Sequence, residues 1–314
     1  MAHSKDAELV FLPLGGCGEI GMNLNAYGYG PAHDRRWILI DVGVTFGGDD
    51  TPGIDLVTPD PAFLEDQGDR IDGIFLTHAH EDHIGAIGLI LPRLQTRAPI
   101  YATAFTAHLA QAKLIERGLK NTSIQVLPLG ASIEAGPFKV SYITLTHSIP
   151  EPNALAIDTP LGTILHTGDW KIDPEPQLGE QTDIEALTAL GDEGVLAMVC
   201  DSTNVFVDGE SGSEGVVRRN LIELIGGLTG RVAVTTFASN VARVATVIEA
   251  ARQAGRSVCL VGRSMHKITD AAFATGVIED LPDLISEDQA GSLPDDNLLF
   301  LCTGSQGEAR AALG

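Results

Sequence analysis

The chain has 314 residues, of which 44% are hydrophobic, so it is not a disordered protein and it is long enough for one large domain or two ordinary ones. It carries 20 basic and 42 acidic residues, a net charge of −22, which taken alone argues against a surface that binds nucleic acid or an anionic membrane. With no apolar run of membrane-spanning length, no secretory signal and four scattered cysteines, we expect a cytoplasmic protein without disulfides that does not associate with membranes.

Short apolar runs separated by turn residues fill the first part of the chain and predict strands. These predicted strands cover residues 8–14, 24–30, 36–43, 71–77, 99–103, 138–147, 154–159 and 162–169. Patterns of helical period predict helices at 84–95 and 104–118.

The rhythm of the sequence changes beyond about residue 207. Predicted helices at 213–227, 240–254 and about 265–275 alternate with predicted strands at 231–237, 257–262 and 297–304. Such alternation favours a doubly wound parallel sheet. We therefore expect two domains, residues 1–206 and 207–314, and we expect 280–297 to be an acidic loop.

The sequence "LTHAHEDHIGAI", residues 76–87, concentrates ligand-type side chains directly after a predicted strand. His78 and His80 can aim at one point from an extended loop, while Asp82 and His83 turn toward a second point as a helix begins. Imidazole combined with carboxylate suits zinc and similar ions. The alternative is a polar surface loop, but a cluster this dense favours a metal site.

Further ligands follow two later predicted strands, in "TLTHSIPE" and "ILHTGDWKID". Our hypothesis has two metal sites: three histidines hold one ion, an aspartate and a histidine hold the second, and another aspartate bridges the two. In that order the residues are His78, His80 and His147; Asp82 and His83; and Asp169. Two ions that share a carboxylate can activate water and stabilise an in-line phosphoryl displacement.

Several motifs resemble those of known families in order and spacing. "DVG" with Asp41, "HAHEDH", "THS" and "HTGD" resemble the metallo-β-lactamase fold. "DSTN" (201–204), "TFASN" (236–240), "GRSM" (262–265) and "CTGSQGE" (302–308) are similar to the β-CASP nucleases and, within them, to the ribonuclease J family. The resemblance begins at "LGGCGEIGMN" (14–23) and covers nearly the whole chain.

This resemblance implies an α/β protein: a metallo-β-lactamase αββα sandwich followed by a β-CASP domain with a doubly wound parallel sheet, incomplete at its C-terminal end. It implies a zinc-dependent ribonuclease, a hydrolase with 5′→3′ exonuclease activity on 5′-monophosphorylated RNA and some endonuclease activity, acting in RNA processing and decay, including rRNA processing. The cofactors would be two divalent metal ions, zinc with manganese or magnesium possible at the second site. The partners would be RNA and, in the full-length protein, further copies forming a homodimer or homotetramer.

The resemblance also assigns roles to individual residues. Asp41 would support the metal loop from behind the ligands, and the residues expected to act in catalysis are Asp82, His83 and Asp201. Asp201 would lie beside the reacting centre and assist as an acid or base. A turn or helix N-cap is the alternative role for Asp201, since "DSTN" suits either.

The segments "TFASN" and "GRSM" resemble a pocket for the 5′-phosphate of RNA, in which Ser239, Asn240 and Ser264 would donate to phosphate oxygens. Ser239 and Asn240 open a predicted helix, where free backbone N–H groups favour an anion, although plain N-capping is the alternative. Basic residues that could hold a phosphate backbone despite the net charge are Lys171, Arg218, Arg219, Arg243, Arg263, His266 and Lys267. The alternative is that these basic residues lie on solvent-exposed helix faces and have no role in binding.

Chains of the resembled family are longer, and they supply a further metal-binding histidine beyond the segment that corresponds to this chain. We therefore expect either the N-terminal part of a longer protein or a truncated relative, with the second metal lacking one ligand. Two other functions stay open: a small-molecule hydrolase of the same fold, such as a lactonase or thioesterase, or an inactive truncated fragment that binds RNA or partner subunits.

Overall fold

A computed structural model describes residues 6–48, 51–280, 284–305 and 311–312. The chain divides into two compact units. The first unit comprises Met1–Leu145, Glu151–Trp170 and Thr182–Asp208, and the second comprises Thr146–Pro150, Lys171–Gln181 and Gly209–Gly314. The expected division into domains at residue 206 stays a prediction.

The first unit contains a mixed sheet of six strands. Its strands are β1 (Glu8–Gly15), β2 (Leu24–Gly30), β3 (Arg36–Ile40), β6 (Ile71–Phe75), β7 (Ile100–Thr103) and β8 (Ile124–Leu127), in the order β1-β2-β3-β6-β7-β8. The pairs β1–β2 and β2–β3 are antiparallel, and the pairs from β3 to β8 are parallel. The short strands β4 (Thr45–Phe46) and β5 (Leu56–Val57) form a separate hairpin.

A second sheet of five strands belongs to the same unit. Its strands are β9 (Ser132–Ala135), β10 (Phe138–Thr144), β11 (Asn153–Thr159), β12 (Gly162–His166) and β13 (Ala197–Val199), in the order β13-β12-β11-β10-β9. Only the β12–β13 pair in this sheet is parallel. The helices of the unit are α1 (Ala62–Glu65), α2 (Glu81–Ile84), α3 (Ile87–Leu94), α4 (Ala104–Glu116) and α5 (Ile184–Glu193).

The two sheets pack face to face, because alternate residues of their strands share one apolar core. Ile38 and Phe75 of the first sheet lie in the same buried cluster as Tyr142, Leu155 and Ile157 of the second. Helix α4 packs against β7 and β8, and apolar side chains of α5 pack on the opposite-facing residues of β10 and β11. The predicted αββα sandwich is therefore confirmed.

The second unit has a three-stranded parallel sheet in the order β14-β16-β15, formed by β14 (Val232–Thr235), β15 (Ser257–Val261) and β16 (Leu298–Cys302). Its helices are α6 (Glu214–Gly227), α7 (Val241–Gln253), α8 (Arg263–Ala274) and α9 (Glu287–Ala290). Apolar residues of α6, α7 and α8 pack with the strands in one buried core. The predicted alternation of helices with parallel strands is confirmed.

The expected acidic loop at 280–297 is partly wrong. Helix α9 forms there because the Ser286 side chain accepts from the N–H of Gln289 while the Gln289 side chain accepts from the N–H of Ser286, a capping box that a reading of charge alone overlooks. Residues 281–283 lie outside the described residues, as do residues 306–308 of the "CTGSQGE" motif. No helix in the described parts of the chain combines the length and apolar character needed to span a bilayer.

Candidate metal centre

The histidine-rich loop directly follows β6, a strand that parallel neighbours enclose on both sides. Thr77 and His78 are completely buried, and His83 lies almost completely buried in α2. His80 is the residue before α2 and has an extended backbone, so the chain turns from strand direction to helix at this point. The loop is thus held at the end of an interior strand, and such a rigid support is what a metal site needs.

Asp41 fixes this loop from the end of β3. Its backbone has φ +62°, and its side chain is completely buried. The Oδ1 atom accepts from the N–H of Thr77 at 2.8 Å, and Oδ2 accepts from the Thr77 hydroxyl at 2.8 Å and lies 2.7 Å from Nδ1 of His83. A carboxylate behind a histidine orients the ring and leaves its other nitrogen to face outward.

The glycine of "DVG" and an asparagine from the loop after β1 complete the support. A Cβ atom at Gly43 would lie 1.6 Å from the carbonyl oxygen of Asp82, so only glycine lets the two segments approach this closely. The side chain of Asn23 donates to the same Asp82 carbonyl at 3.1 Å and lies 3.2 Å from Nε2 of His83. The sequence motifs contained Asn23, but no local pattern assigned it this contact.

The structure brings together the four residues expected around the first ion. Ligand atoms of His78, His80, His147 and Asp169 all lie within 4.8 Å of one another. Nε2 of His78 and Nδ1 of His80 face each other at 3.1 Å, and Oδ2 of Asp169 lies 3.9 Å from Nε2 of His78. Three imidazoles and one carboxylate are a donor set that suits zinc.

The second group consists of Asp82, His83 and Asp169, whose ligand atoms also lie within 4.8 Å of one another. Nε2 of His83 is 3.2 Å from Oδ1 of Asp169 and 3.5 Å from Oδ2 of Asp82. The two oxygens of Asp169 therefore face different groups, Oδ1 toward His83 and Oδ2 toward His78. This is the geometry of a carboxylate that could bridge two ions.

The carboxylates around the second donor group favour a positive charge at His83. Burial lowers the pKa of His83, but the charge of Asp41 and hydrogen bonds with Asp169, Asp41 and Asp82 outweigh burial and raise it well above its usual value. Burial alone would raise the pKa of Asp82, whereas the hydrogen bond and charge of His83 lower it. A divalent ion could take the place of the His83 proton between these carboxylates, so the donors present fit such an ion.

A cavity of about 670 Å³ opens over this centre within the first unit. Asp82, His83 and Asp169 line it together with Asp201 and the glycine-rich loop after β1. The Oδ1 atom of Asp201 accepts from the N–H of Thr203 at 2.8 Å, which is the turn role that its sequence context suggests. The same carboxylate borders the cavity, so a turn role and a chemical role are compatible.

The residues expected at a 5′-phosphate pocket lie in the second unit, after parallel strands. Asn240 caps α7, since its Oδ1 accepts from the N–H of Arg243 at 3.0 Å. Ser239 precedes that cap, and Ser264 is an exposed residue in the first turn of α8. The N-capping alternative thus holds for Asn240, while phosphate binding by the three residues stays a prediction.

Most of the expected basic residues have protein partners. Arg243 Nη2 lies 3.0 Å from Oε1 of Glu214, and Lys171 Nζ lies 3.2 Å from Oδ2 of Asp173. Arg219 similarly pairs with a glutamate, and Arg218 donates to a glutamine. These pairs neutralise much of the positive charge that the sequence offered for a phosphate backbone, although Arg263 and His266 are exposed on α8.

Two family models match the chain. Residues 36–197 match a beta-lactamase superfamily domain, and residues 229–314 match the beta-CASP domain of ribonuclease J. The first match covers the strands and loops that carry every residue of the two donor groups.

Curated relatives named ribonuclease J resemble the chain over almost its full length. The one from Sinorhizobium meliloti is 50% identical over 99% of this chain and 55% of its own length. The one from Mycolicibacterium smegmatis is 42% identical over 96% of this chain and 53% of its own length. The one from Thermus thermophilus is 37% identical over 96% of this chain and 53% of its own length. The chain thus spans about half the length of the curated relatives it matches.

A solved structure of a protein of unknown function from Enterococcus faecalis V583 is similar in fold. The two structures align with a TM-score of 0.63 and 18% sequence identity, over 94% of this chain and 77% of the solved chain. At this identity the similarity shows the fold alone. The family models, the relatives and the fold agree with one another. The chain therefore belongs to the beta-lactamase superfamily, and it is similar over almost its full length to proteins of the ribonuclease J family.

Proposed function

We propose that the protein is a metal-dependent ribonuclease, a hydrolase that cleaves RNA phosphodiester bonds. The observation that carries this proposal is the pair of adjoining donor groups that share Asp169, because two ions held by one carboxylate suit phosphoryl displacement. The name ribonuclease J that the relatives bear supports RNA as the substrate. We further propose 5′→3′ exonuclease activity on 5′-monophosphorylated RNA with some endonuclease activity, in RNA processing and decay and in rRNA processing.

The metal assignment follows from donor chemistry. His78, His80, His147 and Asp169 would hold a zinc ion, because imidazole-rich sites suit zinc, while the carboxylate-richer second group could take zinc, manganese or magnesium. When bound, two such ions supply a nucleophile at neutral pH and neutralise the charge that develops on the phosphoryl oxygens.

Two side chains of the protein would act beside the metal ions: one orients a metal ligand and the other protonates the leaving oxygen. Asp41 holds the ring of His83 through Nδ1, so that Nε2 faces Asp82 and Asp169. Asp201 borders the cavity without belonging to either donor group of the described residues. We assign it the transfer of a proton to the leaving oxygen, a role for which a carboxyl group at the reacting centre is suited.

The end of the RNA would be recognised by the second unit. The N-termini of α7 and α8 follow the parallel strands β14 and β15, and helix N-termini favour anions. Ser239, Asn240 and Ser264 would donate there to the oxygens of a 5′-monophosphate. Ser239→Leu should then reduce exonuclease activity more than internal cleavage. An equal loss of both activities would mean that these residues serve only to start the helix.

The proposed setting is the cytoplasm, with RNA as the substrate and a homodimer or homotetramer as the assembly of the whole protein. The net charge of −22 is the main physical objection to an RNA substrate. Divalent ions at the two donor groups would offset this repulsion near the site, because they would add positive charge where the scissile phosphate has to bind.

The test is cleavage of end-labelled RNA carrying a 5′-monophosphate or a 5′-hydroxyl, with and without a chelator. We expect cleavage that the chelator abolishes, with exonucleolytic products favoured by the monophosphate. Asp82→Ala and His80→Ala should abolish cleavage and keep the fold, and Asp158→Ala on the surface of β11 serves as the matched control. Chelator-resistant cleavage, or wild-type rates in either site variant, would refute the proposal.

A further inference from the structure

A buried tyrosine and a buried histidine of the first unit form a hydrogen bond with each other. Tyr27 lies in β2 and is completely buried, and His166 ends β12 with 5% of its surface exposed. The Tyr27 hydroxyl oxygen is 2.9 Å from Nδ1 of His166. The pair joins the two sheets of the first unit, and the proposed function gave neither residue a role.

The direction of this hydrogen bond follows from the surroundings of the hydroxyl. Burial raises the pKa of Tyr27, so the phenol keeps its proton. Among the described residues, His166 Nδ1 is the one hydrogen-bond partner of that hydroxyl. If the hydroxyl accepted from Nδ1–H, its own proton would be buried without an acceptor, which costs about 1–3 kcal/mol. Tyr27 therefore donates, and Nδ1 of His166 accepts.

The tautomer of His166 follows from that direction. Burial lowers the pKa of His166 to about 4, so the ring is neutral at neutral pH. A neutral imidazole carries one proton, and because Nδ1 accepts, the proton resides on Nε2. Divalent ions bound nearby would disfavour the imidazolium further. His166 thus presents a neutral N–H donor rather than a base or a cation.

The ring lines the same cavity as the second donor group. Asp82, His83, Asp169 and Asp201 share that lining with His166. Neither of the two metal-holding groups found among the described residues includes His166. Asp82, His83 and Asp169 are candidate metal ligands, and the carboxylate of Asp201 repels a phosphate. Asn23, Asn25, Ser202 and Thr203 also line the cavity and can donate. What distinguishes His166 is that a buried partner fixes its tautomer, so it offers an N–H that is already set toward an acceptor.

We propose that Nε2–H of His166 donates a hydrogen bond to a non-bridging oxygen of the scissile phosphate, and that Tyr27 is the positioning residue that holds His166 in the Nε2–H tautomer. The inference rests on the proposed function, since it needs a phosphodiester in the cavity. A donor aimed at an oxygen on which charge develops stabilises the transition state more than the ground state. A purely structural histidine would stabilise the fold and leave the chemical step unchanged.

The kinetic test compares variants of the full protein with RNA as the substrate. His166→Phe should lower kcat by about 10²-fold with little change in KM, the usual effect of removing one such donor. His166→Gln should recover part of that loss, because its amide can place an N–H near the position of Nε2. Tyr27→Phe should lower kcat less than His166→Phe. His108→Phe, an exposed substitution in α4, is the matched control.

A phosphorothioate test separates a direct contact from a structural one. Sulfur accepts hydrogen bonds poorly, so one diastereomer at the scissile phosphate should slow the wild-type protein through the lost contact with His166. That slowing should shrink in His166→Phe, which has no contact to lose, and persist in His108→Phe. An unchanged response of both diastereomers in His166→Phe would overturn the inference.

Nitrogen NMR of protein labelled at histidine tests the tautomer without any turnover. We expect the His166 signals of a neutral ring protonated at Nε2 in wild type, and a mixture of tautomers in Tyr27→Phe. An Nδ1-protonated ring in wild type would overturn the inference even if RNA is cleaved. Wild-type protein that cleaves no RNA would instead refute the proposed function, and the phosphate contact with it. Full kcat in His166→Phe, with RNA cleavage intact in wild type, would refute the inference alone.

Discussion

The carboxylate of Asp41 lies 2.7 Å from Nδ1 of His83, although the two residues are 42 positions apart in the chain. Asp41 is completely buried and has a left-handed backbone. Its other hydrogen bonds go to Thr77, directly before the histidine-rich loop. One aspartate therefore orients a candidate metal ligand and anchors the loop that carries the others.

Replacing Asp41 by asparagine should weaken metal binding at the second donor group. The amide has one acceptor atom, so it cannot accept at both carboxylate positions: it loses either the N–H of Thr77 at the Oδ1 position or the Thr77 hydroxyl and His83 Nδ1 at the Oδ2 position. In the second case the ring of His83 loses the acceptor that orients it, and in the first case the histidine-rich loop loses an anchor. We expect a loss of about 10–100-fold in affinity, the usual range for a partner behind a metal-binding histidine. Titration calorimetry with zinc or manganese measures it, and Asp158→Asn on the surface is the control. Unchanged affinity in Asp41→Asn would contradict this role.

Gly43→Ala should destabilise the protein even without metal. The new Cβ would lie 1.6 Å from the carbonyl oxygen of Asp82, and backbone cannot yield as a flexible side chain can. We expect a loss of at least about 1–3 kcal/mol in the free energy of unfolding, as for an overpacked core. Gly48→Ala is the matched control, because a Cβ there meets nothing within 4 Å. Chemical denaturation compares them, and equal stabilities would show that the two segments can separate at little cost.

The candidate ligands could be predicted from the sequence because a local pattern carries them. His78, His147 and Asp169 each follow an apolar run that predicts a strand. His78 follows β6 of the six-stranded sheet, whereas His147 and Asp169 follow β10 and β12 of the five-stranded sheet, so the candidate ligands come from two sheets and not from one sheet edge. The long strands and helices were predictable for the same reason, since their periodicity reflects one buried face. Their contacts to metal stay a prediction, but their proximity follows from the fold.

Other features left no local signal. The contact of Tyr27 with His166 joins residues 139 positions apart, in strands of different sheets. Helix α5 was not predicted, although its apolar side chains pack on the second sheet without any of its residues being fully buried. Strand β13 has only three residues, and its exposed Met198 does not alternate with polar neighbours. Tertiary packing decides such elements, and a single sequence does not display it.

Asp173 should make the stability of the second unit depend on pH at the acidic end. Burial alone would raise the pKa of Asp173, but hydrogen bonds from Ser213, Glu214, Glu175 and Lys171 lower it to about 2 from 3.8. A lowered folded-state pKa stabilises the protein above the unfolded value, and this contribution is lost as the pH falls through the folded value. Stability should therefore fall between about pH 4 and pH 2.

The measurement is the free energy of unfolding across that pH range in wild type and Asp173→Asn. The variant should be less stable at neutral pH and should lose less on acidification, because its amide does not titrate. Asp270→Asn, at an exposed position on α8, should follow wild type. A steeper acid loss in Asp173→Asn than in wild type would contradict the assigned role.

Two substitutions of Asn240 separate helix capping from phosphate binding. Asn240→Ala removes the acceptor for Arg243 N–H and should cost about 0.5–2 kcal/mol of stability. Asn240→Asp keeps the acceptor and should preserve stability, but it places a negative charge where the 5′-phosphate would bind. We expect Asn240→Asp to lose the preference for 5′-monophosphorylated over 5′-hydroxyl RNA. A retained preference with normal stability would confine Asn240 to capping.

The most direct test of a two-metal ribonuclease is the metal content of Asp169→Asn measured beside its RNA cleavage. Asp169 is the one residue common to both donor groups found in the described part of the chain. Elemental analysis should find two divalent ions per wild-type chain and chelator-sensitive cleavage, while Asp169→Asn, folded as judged by its circular dichroism, should retain fewer ions and cleave no RNA. Two tightly held ions and wild-type cleavage in Asp169→Asn would contradict the bridging role and the two-metal mechanism built on it.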